Sequence, residues 1–152
     1  MIEKVYDNSL HIFDKMWSDY QKDLGVEQSI FQQLPHRDDY IIIVDKEIVG
    51  FILVGTFPNA LCKDDIFIQD IYIKPDKRKK GLATSAVIDV WNNRRYQDKE
   101  CLSLFILKNN IGAKEFWLKL TQRLGLTDRL AMGGITATTD EAQFHLFCPY
   151  KE

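Results

Sequence analysis

The segment that most restricts the fold runs from Ile71 to Thr84, where a β-branched stretch meets a proline and then a basic turn. Pro75 has no backbone N–H and disfavours helical geometry in the residue before it, so a strand should end near Ile73. Gly81 lacks a Cβ atom, which lets the chain turn tightly while an anion approaches the backbone. Because a helix is predicted directly afterwards, free N–H groups, the positive end of a helix dipole and several cationic side chains meet here. The sequence therefore predicts a phosphate or pyrophosphate site at this turn.

The helix predicted after the turn has one apolar face. Apolar pairs recur at four-residue intervals, and these pairs are Leu82/Ala83, Ala86/Val87 and Val90/Trp91. Small residues in the first turn leave room there for a bulky ligand. Two alternatives use the same residues: an ordinary surface turn with solvated lysines, and a localisation or nucleic-acid patch made of the basic run at 74–80.

The composition is that of a compact globular chain and argues against several classes of protein. With 152 residues, of which 45% are hydrophobic, the chain is long enough for a single domain over residues 1–152. A formal net charge of −2 argues against general affinity for nucleic acid, so we expect no nucleic-acid partner. No apolar run reaches the length of a membrane span, and the first residues lack the apolar stretch of a secretion signal. We therefore expect a cytoplasmic protein without a membrane partner.

The three cysteines are Cys62, Cys101 and Cys148, which are far apart and outside any Cys-x-x-Cys spacing. An odd number with such spacing favours free thiols in a reducing compartment over a disulfide framework or a zinc site. No metal site is predicted. An acyl-cysteine intermediate is disfavoured because neither Cys101 nor Cys148 has an evident partner histidine.

The predicted elements alternate along the chain in an α/β order. The expected strands are residues 2–6, 40–44, 48–54, 66–73, 102–107 and 143–147, and the expected helices start at Leu10 and cover residues 28–34, 82–95 and 111–124. The first two long strands are joined by a short turn into an antiparallel hairpin, and residues 56–65 are expected to form a loop. This order predicts a central mixed sheet with helices on both faces.

The turn resembles the acyl-CoA-binding motif of the GNAT N-acetyltransferase superfamily, in the pattern Arg78-x-x-Gly81-x-Ala83 after a strand that ends in x-Pro. The resemblance implies the GNAT acyl-CoA N-acyltransferase fold, with acetyl-CoA as the acyl donor. It places the pyrophosphate at the turn and the pantetheine arm along the strand edge, where the N–H of Ile71 would stabilise the oxyanion. The cofactor-binding residues that it implies are Ile71, Tyr72, Ile73, Arg78, Lys79, Lys80, Gly81, Leu82, Ala83, Thr84, Asn110 and Trp117.

A second motif, Asn110-x-x-Ala113-x-x-Phe116-Trp117, is similar to the Asn-x-x-Ala-x-x-Phe-Tyr segment of the same superfamily. Asn110 is expected to cap the helix that follows. Trp117 stands where the family usually carries its catalytic tyrosine. An indole N–H offers a hydrogen bond to the departing thiolate but is not a normal general acid. The alternatives are that Trp117 packs beside the pantetheine and that Tyr72 or water supplies the proton.

The general base is expected on the strand before the turn, where some amine-acetylating relatives carry a carboxylate. The position nearest to their frequent glutamate is Gln69, which cannot take a proton. Asp70 is the remaining carboxylate and the predicted base, with a structural, hydrogen-bonded aspartate as the alternative. His145 and His36 are weaker candidates. The expected catalytic residues are Asp70, Trp117 and Tyr72.

Together these features predict an N-acetyltransferase that moves acetyl from acetyl-CoA to a primary amine of a small molecule or peptide. The alternative, supported by Gln69 and Trp117, is a CoA-binding sensor or scaffold of the same fold with weak or no catalysis. A cationic amine suits the carboxylates of the N-terminal helices and the 56–65 loop, although acidic helix faces are usually just solvated. These carboxylates are Asp14, Asp19, Asp23, Glu27, Asp38, Asp39, Asp64 and Asp65. Formation of a homodimer is left open.

Overall fold

The computed structural model describes residues 1–4, 10–24, 38–55, 65–129 and 142–149. The strands in this part are β1 (Ile2–Lys4), β2 (Asp38–Val44), β3 (Glu47–Gly55), β4 (Asp65–Ile73), β5 (Cys101–Leu107), β6 (Leu126–Asp128) and β7 (Ala142–Pro149), and the helices are α1 (Leu10–Leu24), α2 (Leu82–Trp91) and α3 (Ile111–Arg123). The strands follow the order β1-β2-β3-β4-β5-β7-β6 in one sheet. The predicted α/β fold with a mixed sheet is confirmed. None of the described helices is both long and apolar enough to cross a membrane.

Most predicted elements are found close to their predicted limits, but β6 (Leu126–Asp128) is not among the predicted strands, and the limits of two other elements differ. Asp65, expected in a loop, is the first residue of β4. Helix α2 ends at Trp91 rather than near residue 95, because Asn93 takes an extended conformation and caps a 3₁₀ turn at Arg94–Tyr96. The side-chain oxygen of Asn93 accepts a hydrogen bond from the backbone N–H of Arg95 at 3.0 Å. The helix expected at 28–34 and the loop at 56–64 lie outside the described residues.

The first of two compact units consists of Met1–Thr56 and Ile68–Gln97. Within it, β2 and β3 form the predicted hairpin, whose two turn residues both have positive φ, as a tight hairpin turn requires. Helix α1 packs its apolar side on this unit: Phe13 and Met16 lie in one buried cluster with Phe51, Leu53 and Tyr72. The helix that precedes the hairpin is therefore anchored on the strand that enters the basic turn.

A hydrogen-bonded network holds the start of β2 against the segment after α2. Asp38 accepts bonds from Arg95 Nε at 2.6 Å and from the Tyr96 hydroxyl at 2.8 Å. The Tyr96 hydroxyl also lies 2.8 Å from that of Tyr40. Because Tyr40 and Tyr96 are both buried, these bonds satisfy polar groups that would otherwise be costly inside the unit.

The second unit consists of Phe57–Phe67 and Asp98–Glu152, of which the described part contains β5, α3, β6 and β7. The β5 and β7 strands pair antiparallel, and β6 pairs with the outer side of β7. Buried side chains such as Leu104, Leu146 and Phe147 form its core. The buried Ser103 hydroxyl donates a short hydrogen bond to Asp65, at the start of β4.

Cys101 and Cys148 form a disulfide, so the expectation of free thiols at these two positions is wrong. The register pairs Leu102 with Phe147, which leaves the two cysteines facing each other one residue further along. Their Cα atoms are 4.4 Å apart, the spacing of a non-hydrogen-bonded antiparallel pair. The pairing depends on strand register and cannot be read from a separation of 47 residues. A disulfide sulfur is not a thiolate, so the acyl-cysteine alternative loses both residues; Cys62 lies outside the described residues.

Candidate functional site

The turn between β4 and α2 has the geometry of an anion-binding loop. Pro75–Lys77 form a 3₁₀ turn directly after the strand, as the proline predicts. Lys79 and Gly81 then take positive φ angles of 64° and 76°. The first hydrogen bond of α2 runs from the N–H of Ser85 to the carbonyl of Gly81 at 3.0 Å. The N–H groups of residues 82–84 therefore precede the helical ladder and face the loop end.

The side chains around these N–H groups leave the loop accessible. Lys79, Lys80 and Gly81 are exposed, while Leu82, Ala83 and Thr84 are half-buried. A lysine with positive φ is uncommon, and such backbone strain is concentrated at functional loops. Successive free N–H groups in a turn of this kind are able to bind a phosphate group.

The Arg78 side chain turns away from this loop end and contacts β4 and α1 instead. Its Nε donates to the carbonyl of Ile73 at 2.8 Å, and its Nη2 lies 3.0 Å from a carboxylate oxygen of Asp23. The guanidinium carbon also lies 5.4 Å from the centre of the Tyr72 ring, within cation–π range. Arg78 thus fixes the turn against its neighbours, while Lys79 and Lys80 are exposed.

The end of β4 carries the residues expected to meet the pantetheine arm. Ile71 is half-buried, whereas Tyr72 and Ile73 are buried. The Tyr72 ring stacks on Phe51 with 5.5 Å between ring centres. Burial raises the pKa of Tyr72, and the carboxylates of α1, Asp19 foremost, raise it further. Tyr72 therefore keeps its proton, which makes it a weak acid for protonating a thiolate.

Asp70 is nearly buried, with 7% of its surface exposed, and both of its carboxylate oxygens accept hydrogen bonds. The Tyr20 hydroxyl on α1 donates to Oδ1 at 2.5 Å, and Nε2 of Gln69 donates to Oδ2 at 3.1 Å. Tyr20 is not among the residues predicted from the sequence. The available signal was its position three residues after Trp17 and four after Met16, on the apolar side of α1. That spacing places Tyr20 against the sheet but does not reveal its partner.

Three tyrosines predict a loss of stability at alkaline pH: Tyr72 and Tyr96 are buried, and Tyr20 is half-buried. Burial is the largest cause that raises the pKa of Tyr20, of Tyr72 and of Tyr96, with neighbouring carboxylates adding to it. Above pH of about 10 the unfolded chain releases phenol protons that the folded protein retains. The stabilisation present below that pH is then lost, at roughly 1.4 kcal/mol per pH unit for Tyr20 alone.

Denaturant unfolding followed between about pH 8 and about pH 11 measures this dependence. We expect the stability of Tyr20→Phe to fall less steeply with pH than that of the wild type. Phenolate absorbance that develops fully near the ordinary tyrosine pKa, while the protein stays folded, would contradict the prediction.

In the second unit, Asn110 precedes α3 and Trp117 lies within it. Oδ1 of Asn110 accepts a hydrogen bond from the N–H of Ala113 at 3.0 Å, so the predicted cap of α3 is confirmed. Trp117 is buried, with 6% of its surface exposed, and packs edge-on against Phe116. His145, a weaker candidate base, is buried with Nδ1 at 2.7 Å from Asp128, which gives it a structural partner.

The predicted site residues are thus divided between the two units. Asp70, Tyr72 and the basic turn lie in the first unit, and Asn110 and Trp117 lie in the second. His36 lies outside the described residues.

Comparison with known proteins identifies the family of this chain. Residues 2–121 match the model of the Acetyltransferase (GNAT) family. No curated protein matches the chain.

Solved structures share the fold over nearly the whole chain. One is diaminobutyrate acetyltransferase EctA from Paenibacillus lautus, in complex with L-2,4-diaminobutyric acid and coenzyme A. It has a TM-score of 0.66 at 12% identity, and the match covers 100% of this chain and 96% of the EctA chain. An acetyltransferase from Thermus thermophilus has a TM-score of 0.66 at 16% identity, and the match covers 96% of this chain and 94% of the Thermus chain. A Bacillus subtilis acetyltransferase in complex with CoA has a TM-score of 0.62 at 15% identity, with 98% of each chain covered.

Proposed function

Because this chain belongs to the GNAT acetyltransferase family, we propose that it transfers an acetyl group from acetyl-CoA directly to a primary amine of a small molecule or peptide. The observation that carries the proposal is the strand–proline–glycine turn–helix arrangement at residues 71–84, inside the matched region. The CoA found in two of the structural neighbours supports the choice of acyl donor. We propose that residues 1–152 act as one catalytic domain.

The residues present fit an acyl-CoA at the turn. The N–H groups of residues 82–84 and the exposed side chains of Lys79 and Lys80 would hold the pyrophosphate, and open space beside Gly81 lets it approach the backbone. The end of β4 from Ile71 to Ile73 would hold the pantetheine arm. When bound, the thioester supplies the acyl group: the amine nitrogen bonds to its carbonyl carbon, and the C–S bond breaks.

Asp70 is the proposed base. In this role it takes the proton that the amine must lose, directly or through water. Two hydrogen bonds to its carboxylate favour the ionised form, so Asp70 is ready to accept a proton or to hold an ammonium group. Trp117 contributes at most a hydrogen bond to the departing sulfur, and a thiol with a reference pKa of about 8.5 needs little help to leave.

We propose a cationic acceptor. Burial raises the pKa of Tyr72, and the charges of Asp19 and Asp23 raise it further, which places these carboxylates of α1 near the end of β4. Asp23 is also paired with Arg78. Asp70 adds a further carboxylate on the same strand. A negative surface of this kind attracts a polyamine or aminoglycoside, and we expect turnover on such amines to fall as ionic strength rises.

The second candidate is a CoA-binding sensor with weak or no catalysis. Its support is Gln69 where relatives frequently carry a glutamate, and Trp117 where they carry a tyrosine. In that case Trp117→Tyr should raise turnover sharply, since it restores a general acid. The cytoplasmic location, the absence of nucleic-acid and membrane partners and a homodimer stay predictions, and the disulfide removes the free-thiol argument for a reducing compartment.

Release of CoA thiol from acetyl-CoA tests the proposal, with a panel of polyamines, aminoglycosides, amino acids including diaminobutyric acid, and peptide N-termini. We expect turnover on one amine class and its loss in Asp70→Asn. Charge reversal by Lys80→Glu should weaken acyl-CoA binding by about tenfold to a hundredfold, because it removes a charge-assisted contact to phosphate.

Lys119→Glu is the matched control, since it makes the same charge change at an exposed position of α3. Equal weakening by both variants would show that net charge, rather than the turn, governs binding. Binding of acetyl-CoA without turnover on any amine would favour the sensor, and turnover that survives Asp70→Asn would remove Asp70 as the base.

A further inference from the structure

We propose that Tyr20 is a positioning residue for Asp70, which it holds, together with Gln69, as an ionised carboxylate for the amine. The inference rests on the proposed function. Its starting point is the 2.5 Å hydrogen bond between α1 and β4, which joins two residues 50 positions apart. Neither motif of the family resemblance includes Tyr20, so its role depends on the geometry alone.

The hydrogen bonds from Tyr20 and Gln69 favour the ionised form of Asp70. The amide nitrogen of Gln69 can only donate, so Oδ2 of Asp70 must accept. Burial, and then the Asp70 charge, raise the pKa of Tyr20 far above its ordinary value, so the phenol keeps its proton and stays a donor. A protonated carboxyl would bring its own hydrogen towards one of these donors. The pair therefore favours the carboxylate over the acid.

Gln69 gives an independent indication that the arrangement serves Asp70. Its Oε1 is buried and meets no hydrogen-bond donor among the described residues. Turning the amide over would bring this oxygen against the carboxylate, so Asp70 sets the orientation of Gln69. Leaving this buried oxygen without a donor is costly, and we take that cost as support for a role of the Gln69 amide in holding the Asp70 carboxylate.

The charged groups nearby come from α1 and from the turn. Asp19, Asp23 and Asp76 act on Tyr72, which shares the Asp70 side of β4, and the cation among these groups is Arg78. Arg78 is paired with Asp23. The packed side of β3 contributes the apolar side chains Phe51 and Leu53. Most charged groups near Asp70 are thus negative, and the neutral donors that stabilise its charge are Tyr20 and Gln69. These two hydrogen bonds are the contacts to test.

Tyr20→Phe removes the hydroxyl and keeps the ring. We expect the acidic limb of the pH profile of kcat/KM for the amine to move to higher pH by about one unit. At pH values below the limb, kcat/KM should therefore fall about tenfold. The KM for acetyl-CoA should stay unchanged. Tyr96→Phe is the matched control, because it also removes a partly buried tyrosine–aspartate hydrogen bond, at 2.8 Å to Asp38. An unmoved limb in Tyr20→Phe, or an equal movement in Tyr96→Phe, would overturn the proposal.

A titration of the Asp70 carboxyl by carbon NMR separates this inference from the proposed function, since it needs no turnover. The signal is assigned by its loss in Asp70→Asn. Its midpoint should rise in Tyr20→Phe and in Gln69→Leu. Midpoints that stay at the wild-type value in both variants would refute the positioning role, even if the protein acetylates amines. A raised midpoint in a protein without turnover would support it while the proposed function fails.

Discussion

Gly50→Ala is expected to destabilise the protein by about 3 kcal/mol or more, because the added methyl group has no space. Gly50 lies in β3, and a Cβ atom there would be 2.0 Å from the carbonyl oxygen of Tyr72 in β4. It would also lie 3.1 Å from Cδ1 of Ile73. A side chain can rotate away from such a contact, but a backbone carbonyl cannot. The two strands would have to separate at the point where the acyl donor is proposed to bind.

The measurement is the melting temperature and the denaturant midpoint of Gly50→Ala against the wild type. For a chain of this size we expect a fall in melting temperature of about 6–12 °C. Gly125→Ala is the matched control, since a Cβ atom added at Gly125 would meet no other atom within 4 Å. Only the positive φ of 75° opposes alanine there. That backbone cost is about 1–2 kcal/mol. An equal loss in both variants would show that the close approach of β3 and β4 does not limit stability.

Gly81→Ala extends the comparison to the basic turn. Gly81 has the same open surroundings and a φ of 76°, so its stability loss should match that of Gly125→Ala. We expect only Gly81→Ala to weaken acyl-CoA binding as well, because its backbone lies in the proposed phosphate site.

The parts of this protein that the sequence predicts well are those with local causes. Pro75 ends β4 and Gly81 turns the chain through rules that involve only adjacent residues. Asn110 caps α3 through a contact three residues away. Helix and strand periodicity likewise depend on spacings of two to four residues, so α1, the hairpin and α3 are found near their predicted limits.

The side-chain partners are not predictable in the same way, because they join distant parts of the chain. Arg78 and Asp23 are 55 residues apart, so the motif indicates an arginine at the turn without showing that its guanidinium contacts α1. The same holds for Tyr20 and Asp70. A motif thus identifies the strand and the turn of the site, while the state of the carboxylate depends on how α1 packs against β4.

Loss of the Cys101–Cys148 disulfide is expected to lower the free energy of unfolding by about 4 kcal/mol. The bond joins β5 to β7 across a separation of 47 residues, and closing a loop of that length removes much of the entropy of the unfolded chain. Cys101→Ala and Cys148→Ala should each cost about this amount, plus a smaller loss of packing at a buried site. The double variant should cost little more than either single one, since one bond is lost in all three.

Thiol titration of the denatured protein gives the direct test. The chain has three cysteines, so the bonded protein exposes one reactive thiol before reduction and three after it. Reductant should lower the stability of the wild type and leave that of the double variant unchanged, because only the wild type has a bond to break. Three thiols before reduction, with additive losses in the two single variants, would show that β5 and β7 are held by their ladder and side chains alone.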